Sequence, residues 1–210
     1  MSTYCPNCGA PIRFRWSKAV QTVCEYCRSI LVRRDVDLSR VGTVGDLPEN
    51  ASPIKLGVEG SHRGRPFVVV GRIIYEYERG GWNEWHLVFN DGASGWLSDA
   101  QADYAIYAQA PAEGLPPANA VKPGLRCQWN GVVYEVTTVT RAHYRGVEGD
   151  LPFEYWDKED VIFADLRTRD ARTATIDYSE PEPLLFLGEF TDFSALRLRN
   201  VREFEGWPKP

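Results

Sequence analysis

The sequence predicts a mainly β protein: a small cysteine-stapled head followed by two small strand-rich units, barrel-like or half-open sheets, that read as copies of one design. Three observations predict it. Four of the five cysteines fall in two C-x2-C pairs near the start of the chain. Seven Trp, ten Tyr and nine Phe sit in short alternating runs separated by Gly, Pro and Asn-Asp-Gly, a pattern of strands and turns. Two stretches match at an offset of 67 residues. The boundaries that follow are a head at 1–34, a linker at 35–53, a first β unit at 54–109, a proline-rich connection at 110–120 and a second β unit at 121–207.

In the head, Cys5, Cys8, Cys24 and Cys27 have the spacing C-x2-C-x15-C-x2-C, which suits a tetrahedral four-sulfur site. The expected occupant is one structural Zn2+ in a zinc ribbon, since four thiolates leave no open position for catalysis. Disulfides and an iron-sulfur or redox centre are the alternatives. So short a segment has too little apolar interior to fold alone, and metal binding contributes on the order of 10 kcal/mol to such modules. Residues 12–16 and 21–23 read as a hairpin around Ser17, Lys18 and Ala19. Alternation places Arg13 and Arg15 on one face and Phe14 with Trp16 on the other. A basic face over a packed aromatic one is the simpler account, and nucleic-acid binding through Arg13 and Arg15 is the alternative.

The linker holds Gly42, Gly45, Pro48 and Pro53, with a short strand permitted by Val36 and Leu38. Beyond it Lys55, Gly57, Gly64, Phe67 and Val69 correspond to Lys122, Gly124, Gly131, Tyr134 and Val136, five matches over 15 positions. A duplicated β unit explains them; chance similarity between hairpins is the competing account. Strands are expected at 67–76 and 84–89 across a turn at Arg79, Gly80 and Gly81, then at 95–97 after Asn90-Asp91-Gly92. Ser98-Asp99-Ala100-Gln101 resembles a capping box opening one helical turn, before a strand at 104–107. In the second unit, 125–129 and 131–139 read as strands and 145–152 as a loop. Residues 161–163 and 173–176 are strand-like, and 184–186 with 196–201 are candidates to close the sheet.

Of the 24 basic and 29 acidic residues, six basic and one acidic lie in the head, leaving 18 against 28 in the remainder. So acidic a body repels phosphate backbones, or simply keeps the protein soluble. No leader and no run of about 20 apolar residues is present, so the expected location is the cytoplasm.

Trp82-Asn83-Glu84-Trp85, Asn90-Asp91-Gly92, Gly95-Trp96-Leu97-Ser98, Glu148-Gly149-Asp150-Leu151-Pro152, Asp165-Leu166 and Tyr178-Ser179 together resemble the bacterial proteins carrying domain of unknown function 4178. The likeness covers most of 55–200, and the usual motif has Glu where this chain has Asp150. Some relatives begin with a zinc ribbon. The family has no established activity; its members are often encoded near polyamine-synthesis enzymes and phage-shock or membrane-associated proteins. The resemblance therefore implies an accessory or partner-binding role.

Candidate sites are sparse. His86 and Glu84 share a strand face and suggest an acid-base pair, but a cleft and a third orienting group are not visible in the sequence. Glu148, Asp150, Asp157, Glu159, Asp160 and Asp165 imitate a metal cluster, while Cys127 reads as a buried thiol. Trp82 and Trp96 exceed what one small sheet needs, and are expected to border a protein or peptide groove with Glu84 and Asp91 at its rim. The seven tryptophans equally allow an interface between copies or a wide internal core. The functional expectation is a non-enzymatic protein-binding or scaffold protein, an accessory to a membrane-associated or polyamine-related system. Nucleic-acid binding through the head and an enzyme centred on His86 or Asp150 are its rivals.

Overall fold

The computed structural model describes residues 3–34, 37–47, 52–78, 80–156 and 158–203. Val36, Pro48, Arg79 and Asp157 lie outside them. The described chain is mainly β, with a single 3-10 turn at Phe193–Leu196 as its helical element.

The head contains β1 (Thr3–Tyr4), β2 (Pro11–Ile12), β3 (Gln21–Val23), β4 (Ser29–Arg34) and β5 (Asp37–Thr43). The hairpin expected between 12–16 and 21–23 does not form. Instead β2 pairs with β1, and β3, β4 and β5 make a three-stranded sheet. Residues 13–16 stay out of both sheets because their backbone is used elsewhere: Trp16 N–H donates to the Asp150 carboxylate, 134 residues away. β4 has four buried residues in succession, so it lacks the alternation by which strands are recognised. β5 is the strand that the sequence allowed within the linker, and a bulge opposite Ile30 and Leu31 blurs its pattern.

The body holds β6 (Glu59–His62), β7 (Arg65–Tyr77), β8 (Gly80–Phe89), β9 (Ser94–Ala100), β10 (Asp103–Ala110), β11 (Arg126–Trp129), β12 (Val132–Gly149), β13 (Asp160–Arg167), β14 (Arg172–Asp177) and β15 (Leu184–Thr191). All of its pairings are antiparallel. Two four-stranded meanders, β7 to β10 and β12 to β15, meet along β10–β15 and along β7–β12, so the sheet closes into a ring of eight strands. Closure leaves none of the eight with a free edge along its whole length.

The duplication extends to the hydrogen bonds. Gly57 N–H donates to Val69 O at 2.8 Å, and Gly124 N–H to Val136 O at 2.8 Å. Val69 N–H returns to Val58 O, and Val136 N–H to Leu125 O, each at 2.8 Å. The turns before β7 and β12 both place two residues in the left-handed region, Arg63-Gly64 and Asn130-Gly131, as a two-residue hairpin turn of this twist requires.

Three apolar layers result. The outer face of the first meander packs Phe67, Val69, Trp85, Leu87 and Leu97 under Ile54, Val58, Leu196 and Leu198. The outer face of the second packs Tyr134, Val136, Leu166, Ile176 and Leu185 with Val121 and Trp129. Between the meanders, Ile73, Tyr75, Trp96, Tyr107, Tyr155 and Phe163 form an inner layer that also takes in Ile30 and Val44 from the head. A four-cysteine head with only Leu31 fully buried beside its thiols thus shares its larger core with the body.

Three expectations are corrected by this topology. Ser98 to Gln101 opens no helical turn: β9 runs to Ala100, and Gln101 with Ala102 makes a left-handed turn into β10. The side chains that would cap a helix are committed to the sheet, Ser98 to Glu84 and Asp99 to Trp85 Nε1. Residues 145–149 are strand, not loop, since the C-terminal half of β12 forms the closing seam with β7. Its glycines permit close approach: a Cβ on Gly146 would stand 2.7 Å from Leu47 Cδ2, and one on Gly149 2.9 Å from Leu56 Cδ1. Finally, β15 closes the sheet while 196–201 does not; that stretch covers the outer core and touches β6 by one bridge, Glu59 with Arg199.

Candidate functional site

Alternation on the eight ring strands sends one set of side chains outward and the other inward. The inward set surrounds a cavity of about 340 Å³ to which every ring strand contributes. β7 supplies Tyr75, β8 Trp82 and Glu84, β9 Trp96 and Ser98, β10 Tyr107, β12 Thr138 and Thr140, β13 Phe163 and Asp165, β14 Thr175 and Asp177, and β15 Phe186. The loop after β12 adds Phe153 and Tyr155.

The aromatic wall is continuous. Trp82 stacks on Tyr75 at 4.9 Å between centroids and meets Phe163 edge-on at 5.6 Å, and Trp96 stacks on Phe153 at 5.7 Å. Tyr75 Oη donates to Tyr155 Oη at 2.6 Å.

Set into this wall are three carboxyls, Glu84, Asp165 and Asp177, and among the described residues no Lys or Arg lines the cavity. Glu84 Oε1 accepts from Ser98 Oγ at 3.0 Å and from Trp82 Nε1 at 2.9 Å. Asp165 Oδ1 accepts from Thr175 Oγ1 at 3.0 Å, and Asp177 Oδ1 from Ser179 N–H at 2.7 Å. In each carboxyl the second oxygen has no protein donor among the described residues. Burial, with repulsion from the other two acids, pushes Glu84 up to about 8. Burial likewise pushes Asp177 up to about 6 and raises Asp165.

The two hydroxyl-held acids are counterparts. Glu84 on the second strand of its meander faces Ser98 on the third, and Asp165 on the second strand of the other meander faces Thr175 on the third. The duplication therefore presents the same carboxyl-hydroxyl pair to the cavity twice.

A known family matches residues 55–193, more than half of the chain. The chain belongs to that family, Domain of unknown function (DUF4178). No curated protein and no solved structure matches the chain. The DUF4178 region contains all eight ring strands and therefore the whole cavity lining, while the cysteine head precedes it.

That head grips the DUF4178 body beside the cavity. Asp150 accepts from Trp16 N–H at 2.9 Å through Oδ2 and from Thr22 Oγ1 at 2.7 Å through Oδ1. Val20 N–H and Gln21 N–H donate to Leu151 O, Leu151 N–H donates to Gln21 O, and the fully buried Gln21 side chain spans Tyr155, donating to its carbonyl and accepting from its N–H. Asp150 is raised by burial, opposed by these donors.

His86, on the same strand face as Glu84, is not its partner. It is fully buried, with Nδ1 2.8 Å from the Asp150 carbonyl oxygen and Nε2 2.8 Å from Ser94 Oγ. A carbonyl only accepts, so Nδ1 carries the proton and Nε2 takes the Ser94 hydroxyl. Burial lowers its pKa to about 4, which keeps the ring neutral. Trp16 and Trp96 close over it at 5.1 Å each.

The residues expected at a protein or peptide groove divide. Trp82, Glu84 and Trp96 are brought together, but as cavity wall; Asp91 stands outside in the β8–β9 turn, paired with Arg65. Arg15 pairs with Glu25, and Arg13 is exposed. The acidic residues expected to imitate a metal cluster disperse: Glu148 pairs with Arg72, Asp160 with His143, and Asp165 enters the cavity. Cys127 is half-buried on β11, and burial raises its thiol. Asp177, Thr175 and Tyr155 escaped the sequence reading; alternation through 163–165 and 175–177 carried the signal, but it reads as ordinary half-buried strand until the ring is closed.

Cys5, Cys8, Cys24 and Cys27 do converge. Their sulfurs all lie within 4.8 Å of one another, a set that can hold one metal ion. Two matched knuckles present them: Cys5 N–H donates to Ala10 O and Gly9 N–H to Cys5 O, as Cys24 N–H does to Ser29 O and Arg28 N–H to Cys24 O. Gly9 and Arg28 occupy the left-handed turn position of each.

Proposed function

We propose that the chain is a non-enzymatic small-molecule-binding protein whose eight-stranded ring encloses the ligand and whose head is a structural zinc ribbon bracing the cavity wall. The observation that carries this reading is the 340 Å³ cavity, which lies in the size range of ligand pockets and joins apolar rings to a few placed polar groups. A well-packed barrel of this kind would fill its interior with side chains. Catalysis is not favoured: His86, packed against the cavity-wall Trp96, has both nitrogens occupied and a ring held neutral.

Zinc is the ion we assign to the head. The closest sulfur pairs, Cys5 with Cys27 at 3.6 Å and Cys8 with Cys24 at 3.8 Å, fit the edge of about 3.8 Å that a tetrahedron with Zn–S bonds of about 2.3 Å requires. Unpaired thiols in such a set go with a reducing, intracellular compartment.

Titration with the neutral fluorophore N-phenyl-1-naphthylamine tests the cavity. The expected result is one-to-one enhancement of its emission, weakened when Thr175→Phe fills the space. No binding by this probe, with the wild-type protein folded, would overturn the cavity reading.

A further inference from the structure

The cavity is unusual in what it lacks. Three carboxyls line it, none has an ion-pair partner among the described residues, and each keeps one oxygen without a protein donor. Asp177 is only 7 % exposed, so bulk water does not satisfy it freely. Buried acids without counter-ions are costly to ionise. A ligand that brings positive charge and N–H donors would remove that cost, whereas an anionic ligand would add to it.

The arrangement also restricts the form of the charge. Glu84 and Ser98 lie on β8 and β9, Asp165 and Thr175 on β13 and β14, and two other strands separate these pairs either way round the ring, so the two acids stand on opposite sides of it. Separated acids suit charges that are themselves separated. The two carboxyl-hydroxyl pairs, Glu84 with Ser98 and Asp165 with Thr175, occupy matching positions in the two meanders. Trp82, Tyr75 and Phe163 line the same cavity, and their faces and edges suit methylene groups and, for Trp82, an alkylammonium.

We propose that this cavity binds a linear organic dication, an α,ω-diaminoalkane in its diammonium form, with one ammonium at the Glu84–Ser98 pair and the other at the Asp165–Thr175 pair. The proposal deepens the ligand-binding reading and rests on it. Each ammonium donates to the carboxyl oxygen left without a protein donor and to the neighbouring hydroxyl, replacing the hydration it loses. The chain between them lies against the aromatic wall. Asp177 adds to the negative field. Because burial holds Glu84 largely protonated near neutrality, arrival of the dication expels a proton, and the heat of binding then depends on the ionisation enthalpy of the buffer.

Calorimetry and thermal shift on the zinc-loaded full chain test this with 1,4-diaminobutane through 1,8-diaminooctane, beside 1-aminohexane, hexane-1,6-diol and adipate. The expected result is that one diamine binds at least about tenfold more tightly than the monoamine, with no binding of diol or adipate. Glu84→Gln and Asp165→Asn, close isosteres, should each weaken that diamine about tenfold or more while N-phenyl-1-naphthylamine still binds. If the fluorophore binds but no diamine does, or the diol or monoamine binds as well as every diamine, the dication is overturned and the cavity stands. Diamine affinity unchanged when Glu84→Gln and Asp165→Asn are combined would overturn the assigned site. If the fluorophore fails as well, the ligand-binding reading itself falls.

Discussion

His86 and Glu84 stand two residues apart on β8, and burial shifts them in opposite directions relative to neutral pH. Glu84 rises from 4.5 to about 8, so between those values the folded protein holds a proton that the unfolded chain has released. Its contribution to stability is complete below 4.5 and is lost as pH rises through 8. His86 falls from 6.5 to about 4, so its contribution is complete above 6.5 and is lost as pH falls towards 4. Above 6.5 only the Glu84 contribution still changes with pH. The melting temperature of ligand-free protein should therefore decline from pH 6.5 to 8, and Glu84→Gln should flatten that decline. A scan in which the variant keeps the wild-type slope would remove Glu84 as its source. Asp150 gives a second residue-scale prediction. Asp150→Ala leaves Trp16 N–H and the Thr22 hydroxyl without their acceptor in a buried contact, a loss of about 1–3 kcal/mol per orphaned group. Urea unfolding would read this as a lower midpoint.

At the scale of elements, the seam between β7 and β12 is where two meanders become a ring. Gly71 and Gly149 face each other there, and Asp150 N–H donates to Val70 O at 2.8 Å. A Cβ on Gly71 would land on the Asp150 carbonyl, which is backbone and has nowhere to retreat. Gly71→Ala should cost about 1–3 kcal/mol and lower the urea midpoint. Gly92→Ala, in the open β8–β9 turn with nothing near its added methyl, should cost about 1 kcal/mol through its left-handed backbone alone. Equal losses would mean that the seam carries no special packing. The same seam explains what was legible in the sequence. The duplicated hairpins at Gly64 and Gly131 could be read because turn glycines and alternating Phe67-Val69 and Tyr134-Val136 are local signals. β12 was read only in part because Gly146 and Gly149, which serve close approach of distant chain, look like loop residues locally. The convergence of the four cysteines needed only spacing. The cavity needed closure: Glu84 was found beside tryptophans, but Asp165 and Asp177 acquire meaning only when their strands curve round to face it.

The whole molecule couples its two parts through one loop. Residues 150–155 leave β12, accept the head's backbone and side chains on one side, and place Phe153 and Tyr155 in the cavity on the other. The head holds that loop only while it is folded, and its own core of Cys5, Cys24 and Leu31 is too small to persist without the ion we propose for it. The body, by contrast, has two outer apolar layers and an eight-stranded ring that owe nothing to the cysteines. Loss of the zinc proposed for the head should therefore loosen one wall of the cavity without unfolding the barrel. Treatment with 4-hydroxymercuribenzoate followed by a zinc-sensitive dye should release one equivalent of metal. N-phenyl-1-naphthylamine should then bind several-fold more weakly, while far-ultraviolet circular dichroism keeps its β signature. Gln21→Ala, which removes the two bonds to Tyr155 and spares every cysteine, should weaken the fluorophore in the same direction with zinc still bound. Unchanged affinity in both the metal-free protein and that variant would mean that the head is carried by the barrel without bracing it.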